Sequence, residues 1–129
     1  MRQLGNLEAA IMDRLWSWQH PATVREVLED LRKSRSIAYT TVMTVMDTLH
    51  RKGILRRELD GRAYRYQAVR SREEHTAQLM QSVLAESTDR TGTLVRFFEQ
   101  MSPAEATTLR KALDAALGKR QRPPGAGRT

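Results

Sequence analysis

The run YTTVMTVMDTLHRKGILRRELDGRAYRYQAV, residues 39–69, decides the fold. Val42, Val45, Met46 and Leu49 recur at helical spacing, and Gly53 follows as a C-cap. A helix is therefore predicted from about Thr40 to Lys52, although β-branched residues are modest helix formers. Thr41, Thr44, Thr48 and Arg51 line another side of it. Two alternating runs, ILRREL and RAYRYQAV, then flank Asp60-Gly61, which is the pattern of a β-hairpin. Period two places Tyr64 and Tyr66 on one face with Arg62, and Ala63, Arg65 and Gln67 on the other. It also sends Arg56 and Arg57 to opposite faces.

Upstream lie two more helical patterns. Leu7, Ala10, Ile11 and Leu15 form a stripe over about Leu7–Trp18, with Asn6 as cap and Trp18 completing the stripe, while Trp16 faces another element or a partner. His20-Pro21 breaks this helix. Thr23 and Glu26 have capping-box spacing, and Val24, Val27, Leu28 and Leu31 follow as the next apolar stripe. The basic run RKSRS closes it at the favourable C-terminal pole. The segment SIAY is read as a short third strand at the hairpin edge. Three short helices and a basic hairpin make a winged helix-turn-helix over residues 1–70.

Downstream the character changes. Ser71 and Glu74 form a second capping box before a helix running to about Thr88, with Leu79, Met80, Val83 and Leu84 near one face. A shorter helix over Thr93–Gln100 carries Leu94, Val95, Phe97 and Phe98. Ser102, Pro103 and Glu105 together open a last helix, which carries Leu109, Leu113, Ala116 and Leu117 and stops at Gly118. Helices this thin need a surface on which to bury their stripes, and a second copy of the chain supplies one. Residues 71–118 are thus read as a helical dimerisation region, the alternative being a monomer whose last helices fold back on the first domain. Residues 119–129, with two prolines and no apolar run, are expected to be a disordered basic tail. The fold class is mainly α.

The net charge of +7 is unevenly spread. Residues 1–69 hold twelve Lys and Arg against eight Asp and Glu, residues 70–118 six against seven, and residues 119–129 four against none. The basic first half favours a polyanionic partner. The absence of cysteine excludes disulfides, thiolate metal sites and cysteine nucleophiles. Neither a secretory signal nor an apolar run of bilayer length is evident, so a cytoplasmic protein without membrane insertion is expected. His20, His50 and His75 sit in separate local contexts, with no ligand spacing and no Gly-rich phosphate loop nearby. No enzyme, cofactor or metal is expected.

An α-helix fits the major groove of DNA, where every base pair is distinct, and the second helix of a helix-turn-helix is the one that enters. That assigns Thr40, Thr41, Met43 and Thr44 as candidate base contacts. Candidate phosphate or wing contacts are Arg25, Thr48, Arg51, Lys52, Arg56, Arg57, Arg62 and Arg65, with His50 adding to that edge. Asp47, a carboxylate on this helix, is expected to sit aside from the duplex or to orient an arginine. Two joined domains would read an inverted repeat with half-sites roughly 34 Å apart. Two other readings stay open: a protein-interaction module of the same fold, and a winged-helix regulator gated by a small molecule.

LGNLEAAIMDRLW, VREVLEDL, YTTVMTVMDTLHRKGILRRELDGRAYRYQAV and LVRFFEQMSPAEATTLRKAL resemble the BlaI/MecI/CopY family of penicillinase repressors over about Leu4–Leu117. The combination of YTTVMT, LHRKGIL and GRAYRY is specific. The resemblance implies a homodimeric repressor of transcription on inverted repeats with a TACA/TGTA core. It also implies control of β-lactamase-type resistance genes, with relief when a membrane sensor protease triggers cleavage of the C-terminal region. Staphylococcal relatives have an Asn-Phe bond there. The aligned segment here is Leu94-Val95-Arg96-Phe97-Phe98, so the implied bond is Phe97–Phe98, with Phe in place of Asn. The same two rings also suit a dimer core. The copper branch of the family uses a cysteine cluster that this sequence lacks.

Overall fold

A computed structural model of the chain describes residues 3–121, with side chains through residue 118. The elements run α1 (Asn6–Trp18), α2 (Val24–Leu31), α3 (Tyr39–Arg51), β1 (Leu55–Asp60), β2 (Ala63–Ala68), α4 (Arg72–Ala85), α5 (Arg90–Phe98) and α6 (Pro103–Gln121). The chain divides into two compact units, Met1–Val83 and Leu84–Thr129. The first is a winged helix-turn-helix.

Local chemistry accounts for most helix ends. In α2 the Glu26 amide donates to Thr23 Oγ1 at 3.1 Å and the Thr23 amide donates to Glu26 Oε1 at 3.3 Å. Ser71 with Glu74, and Ser102 with Glu105, repeat this reciprocal box at α4 and α6. The cap of α1 is Gly5, not Asn6: a glycine has no oxygen to offer, and Glu8 Oε1 accepts the Gly5 N–H at 3.0 Å. The stop of α3 is a Schellman motif. The Gly53 amide bonds the His50 carbonyl and the Ile54 amide bonds the Leu49 carbonyl, both at 3.0 Å. Gly53 adopts φ +79°, a left-handed conformation that favours glycine.

The strands pair antiparallel from Leu55↔Ala68 to Asp60↔Ala63, which makes Gly61 and Arg62 the two central turn residues. Gly61 has φ +65° and Arg62 has none of the positive φ values, as a turn with glycine first requires. The expected third strand in SIAY is absent, residues 36–38 being irregular. Ala22, in the α1–α2 connection, takes that place and exchanges both backbone hydrogen bonds with Tyr66, at 2.8 and 2.9 Å. One hairpin edge is thus tied to the connection between the first two helices.

The core lies wholly in the first unit. Ile11, Met12 and Leu15 of α1, Val27, Leu28 and Leu31 of α2, Val42, Met46 and Leu49 of α3, and Leu55 and Tyr66 of the hairpin are buried together. Arg14 bridges α1 to Asp30 of α2 at 2.7 Å, and Lys52 reaches Glu8 at 2.9 Å. Burial works to raise the Glu8 carboxyl pKa, yet the Gly5 amide and the Lys52 ammonium carry it below the ordinary carboxylate value.

Trp16 meets the start of α4. Its Nε1–H donates to the Arg70 carbonyl at 2.9 Å, its ring lies 5.4 Å from that of His75, and the Arg72 guanidinium sits 4.9 Å above it while pairing with Asp13 at 2.7 Å. His75 is 7% exposed, and its Nε2 has no partner among the described residues. Burial holds the imidazole pKa below its ordinary value of 6.5. A group depressed in this way stabilises the fold above its unfolded pKa and ceases to do so as pH falls through its folded pKa. The chain is therefore expected to melt at lower temperature at pH 5.5 than at pH 7.5. In His75→Phe, which keeps an aromatic ring beside Trp16, that difference should shrink. Thermal melts of both proteins at the two pH values check this, and an equal difference in both refutes it.

Beyond α4 the helices depart from the expected bounds. α4 ends at Ala85, short of Thr88, because Asp89 begins the next helix: its Oδ1 accepts the Gly92 N–H at 3.0 Å. α5 accordingly starts at Arg90 and ends at Phe98. α6 passes through Gly118 to Gln121, so the expected stop and the first part of the expected tail are helical. The long run of helix before Gly118 outweighs the roughly 1 kcal/mol cost of one internal glycine. The rest of that tail, residues 122–129, lies outside the described residues.

Among the described residues of the second unit none is buried. Leu94, Val95, Phe97, Phe98, Leu109, Leu113 and Leu117 are each more than one-third exposed, as are Met80 and Val83 on α4. Leu79 and Leu84 are half-buried. No described helix is long and apolar enough to cross a membrane.

Candidate nucleic-acid interface

The thirteen residues of α3 present a buried stripe and an exposed surface, with Val45, Asp47, Thr48 and His50 half-buried between them. Val42, Met46 and Leu49 are wholly buried and anchor the helix on α1 and α2. Thr40, Thr41, Met43 and Thr44 stand exposed in its first half, and Arg51 and Lys52 at its end. The four candidate base contacts thus share one outward surface of the helix. Thr48 is half-buried, and its hydroxyl donates to the Thr44 carbonyl at 2.9 Å. Unlike α2, α4 and α6, α3 has no side-chain cap: Ala38 occupies the N-cap. The Thr41 amide donates to the Ala38 carbonyl at 3.2 Å, which leaves the Tyr39 and Thr40 amides open to an acceptor from outside.

The basic residues are held in different ways. Arg62, at the hairpin turn, is exposed and makes no hydrogen bond or ion pair among the described residues. Arg56 is exposed and donates to Gln67 Oε1 at 3.2 Å. Arg25, at the start of α2, lies 5.4 Å over the Tyr39 ring. Arg51 pairs with Asp47 at 3.2 Å. Exposed pairs of this kind contribute little, so these side chains can exchange an internal partner for a phosphate.

Arg65 and Arg57 are more constrained. Arg65 pairs with Asp60 at 2.7 Å and with Glu26 at 3.0 Å, tying β2 to α2. The Asp60 hydrogen bond, opposed by burial and aided by the Glu26 charge, raises the guanidinium pKa. Burial would raise that of Glu26, but the Thr23 amide and hydroxyl and Arg65 hold it below its ordinary value. Arg57 turns inward on the face opposite Arg56. Its Nη1 donates to Asp47 Oδ1 at 3.1 Å and to the Tyr66 hydroxyl at 3.3 Å, and its guanidinium lies 4.1 Å from the Tyr64 ring centroid. The Tyr66 hydroxyl, against some desolvation, is the main cause of a raised pKa here, with Asp47 adding to it. The two tyrosines of this face divide: Tyr66 is buried, whereas Tyr64 is 42% exposed and covers Arg57. The expectation that Asp47 meets an arginine agrees with these pairs, whereas sequence inspection missed which arginine, and the Tyr66 and Glu26 partners. The alternation of the hairpin placed the faces, but not the elements opposite them.

A profile of the penicillinase repressor family matches residues 4–115. The chain belongs to the penicillinase repressor family. It is 44% identical over 133 residues to the transcriptional regulator BlaI of Mycobacterium tuberculosis, in strains CDC 1551 and H37Rv, across 100% of this chain and 96% of each relative. Among solved structures it is similar to MepR, a transcription regulator of the Staphylococcus aureus multidrug efflux pump MepA, at 16% identity and TM-score 0.48, covering 92% of this chain and 82% of that one. It is likewise similar to the transcriptional regulator Tm0710 of Thermotoga maritima, at 19% identity and TM-score 0.48, covering 92% and 77%. As a member of the penicillinase repressor family the chain is a winged-helix transcriptional repressor and not an enzyme.

Proposed function

We propose that this repressor binds double-stranded DNA as a homodimer, laying α3 of each copy in the major groove of one half of an inverted repeat and so blocking transcription. The observation that carries this reading is the outward surface of α3, with Thr40, Thr41, Met43 and Thr44 exposed above a buried Val42–Met46–Leu49 stripe. Threonine methyls suit thymine methyls, and threonine hydroxyls suit base edges or phosphates. The uncapped N-terminus of α3 offers amides to a phosphate at the positive end of the helix dipole. Arg62 and Arg56 on the wing are exposed and add positive charge to the same unit. The second unit, none of whose described residues is buried in one chain, supports pairing with a second copy.

The TACA/TGTA half-sites, the β-lactamase-type target genes and relief by a sensor protease are carried over from family resemblance. Phe97 and Phe98 end α5 with their rings 5.6 Å apart. A cut between them needs this short helix to open first. Mass mapping of fragments after incubation with the cognate sensor protease tests this, and an intact chain refutes it. Footprinting on DNA upstream of the chain's own gene tests the main proposal. Two protected half-sites related by a dyad are expected, and no protection at low salt overturns it.

The contact classes separate by substitution. Arg62→Ala is expected to weaken binding to specific and scrambled duplexes alike and to reduce the salt slope by about one. Thr44→Ala is expected to shift the preference between them by about 1 kcal/mol, with similar salt dependence. Anisotropy titrations at several salt concentrations read both, and equal losses on the two duplexes refute the Thr44 role.

A further inference from the structure

One residue on the outer side of α3 is ill suited to a polyanion. Asp47 lies between Thr44 and Arg51, on the turns that carry the exposed threonines, and an unpaired carboxylate there repels phosphate. Each of its oxygens has a different arginine. Oδ2 is 3.2 Å from Arg51 Nε, and Oδ1 accepts from Arg57 Nη1 at 3.1 Å.

The two arginines differ in kind. Arg51 is one helical turn further along α3, with its side chain 68% exposed and a 3.4 Å hydrogen bond to Thr48 Oγ1. Arg57 comes from β1, beyond the Gly53 turn, and its side chain is 24% exposed. Its flat guanidinium lies over the Tyr64 ring and donates to Tyr66, which is buried and hydrogen-bonded through its backbone to Ala22. A continuous path of side-chain and backbone bonds therefore runs from α3 through Asp47, Arg57 and Tyr66 to the α1–α2 connection. A two-stranded hairpin has little stability of its own, so its angle to α3 depends on such ties.

We propose that Asp47 and Arg57 form a latch that fixes the wing against α3 and aims Arg51, so that Asp47 governs sequence preference without touching DNA. This rests on the DNA-binding reading above. Both are positioning residues. The planar, stacked, doubly donating geometry at Arg57 is one that lysine cannot reproduce.

Two variants of the full chain test the latch, with two readouts. Removing a carboxylate from a DNA-facing helix should, by charge alone, tighten binding to every duplex and leave preference unchanged. The latch instead predicts that Asp47→Asn lowers the affinity ratio between a TACA/TGTA inverted-repeat duplex and its scramble about tenfold. It predicts a similar drop for Arg57→Lys, which keeps the charge and would be nearly silent if Arg57 were only a phosphate contact. In the DNA-free proteins, amides of β1 and β2 should exchange faster in both variants while those of α1 and α2 keep their protection, which also shows that the variants fold. Unchanged ratios in both variants, or unchanged wing exchange, overturn the latch. A wild-type chain that binds neither duplex at low salt overturns the DNA reading and the role in preference, while the exchange measurement still decides whether the pair holds the wing.

Discussion

A chain carrying Phe97→Glu and Leu113→Glu is expected to sediment as a monomer and to bind a duplex with two half-sites about 10²–10³-fold more weakly than the wild type. The reason begins with burial. Phe97 is 47% and Leu113 49% exposed in a single chain, alongside five further large apolar side chains on α5 and α6 that are more than one-third exposed. A lone chain leaves that surface in water at about 25 cal/mol per Å² of apolar area. Pairing removes the cost, and a glutamate at a paired position must be desolvated or protonated. Affinity follows from connection: once one half-site is occupied, the second binds at the effective concentration set by the dimer, and a monomer loses that gain. Binding to a duplex with a single half-site should change little, because α3 and the wing are untouched. Sedimentation equilibrium with titrations on the two duplexes checks both parts. A dimer that survives both substitutions sinks the assignment of this surface to pairing.

Leu49→Ala should cost about 2–5 kcal/mol of unfolding free energy, whereas Leu59→Ala should change it by no more than about 0.5 kcal/mol. The two leucines lie ten residues apart in one short stretch and look equally suited to a core. Leu49 is 0% exposed, at the heart of the α1–α2–α3 packing, and its carbonyl receives the Ile54 amide in the turn that ends α3. Its truncation leaves a cavity beneath both α3 and the start of β1. Leu59 is 63% exposed on the wing, opposite Tyr64. A unit this small has roughly 5–15 kcal/mol in all, so the Leu49 variant should lose a large share of its stability. Urea unfolding of the two variants separates them. Equal costs would mean that the buried face of α3 is not where the structure has it.

Much of the fold was legible because it is written in short-range chemistry. The Thr23–Glu26, Ser71–Glu74 and Ser102–Glu105 boxes each involve residues three apart, and all three open the helices they were read to open. Val42, Met46 and Leu49 mark the buried side of α3 because side-chain direction follows backbone period, and Asp60-Gly61 marks the hairpin to within one residue, the turn itself being Gly61-Arg62. The exposed threonines of α3 follow from the same arithmetic, since what the core does not claim must face outward. Short-range reasoning failed where two local signals competed. Asp89 overrode the run toward Thr88, and Gly118, read as a stop, is carried inside α6.

The sequence by itself determined the helices and the hairpin, their order, the buried side of α3 and the family to which the chain belongs. Only the tertiary structure decided which faces meet. Ala22 rather than SIAY pairs with the hairpin, Arg57 faces Asp47, Arg65 faces Glu26, Lys52 faces Glu8, and Trp16 receives α4 through Arg70 and His75. The physical reason is range. A capping oxygen or a helical stripe is set by neighbours within about one turn, but a guanidinium has many carboxylates to choose from, and the packing of the shared core brings one of them to 3 Å.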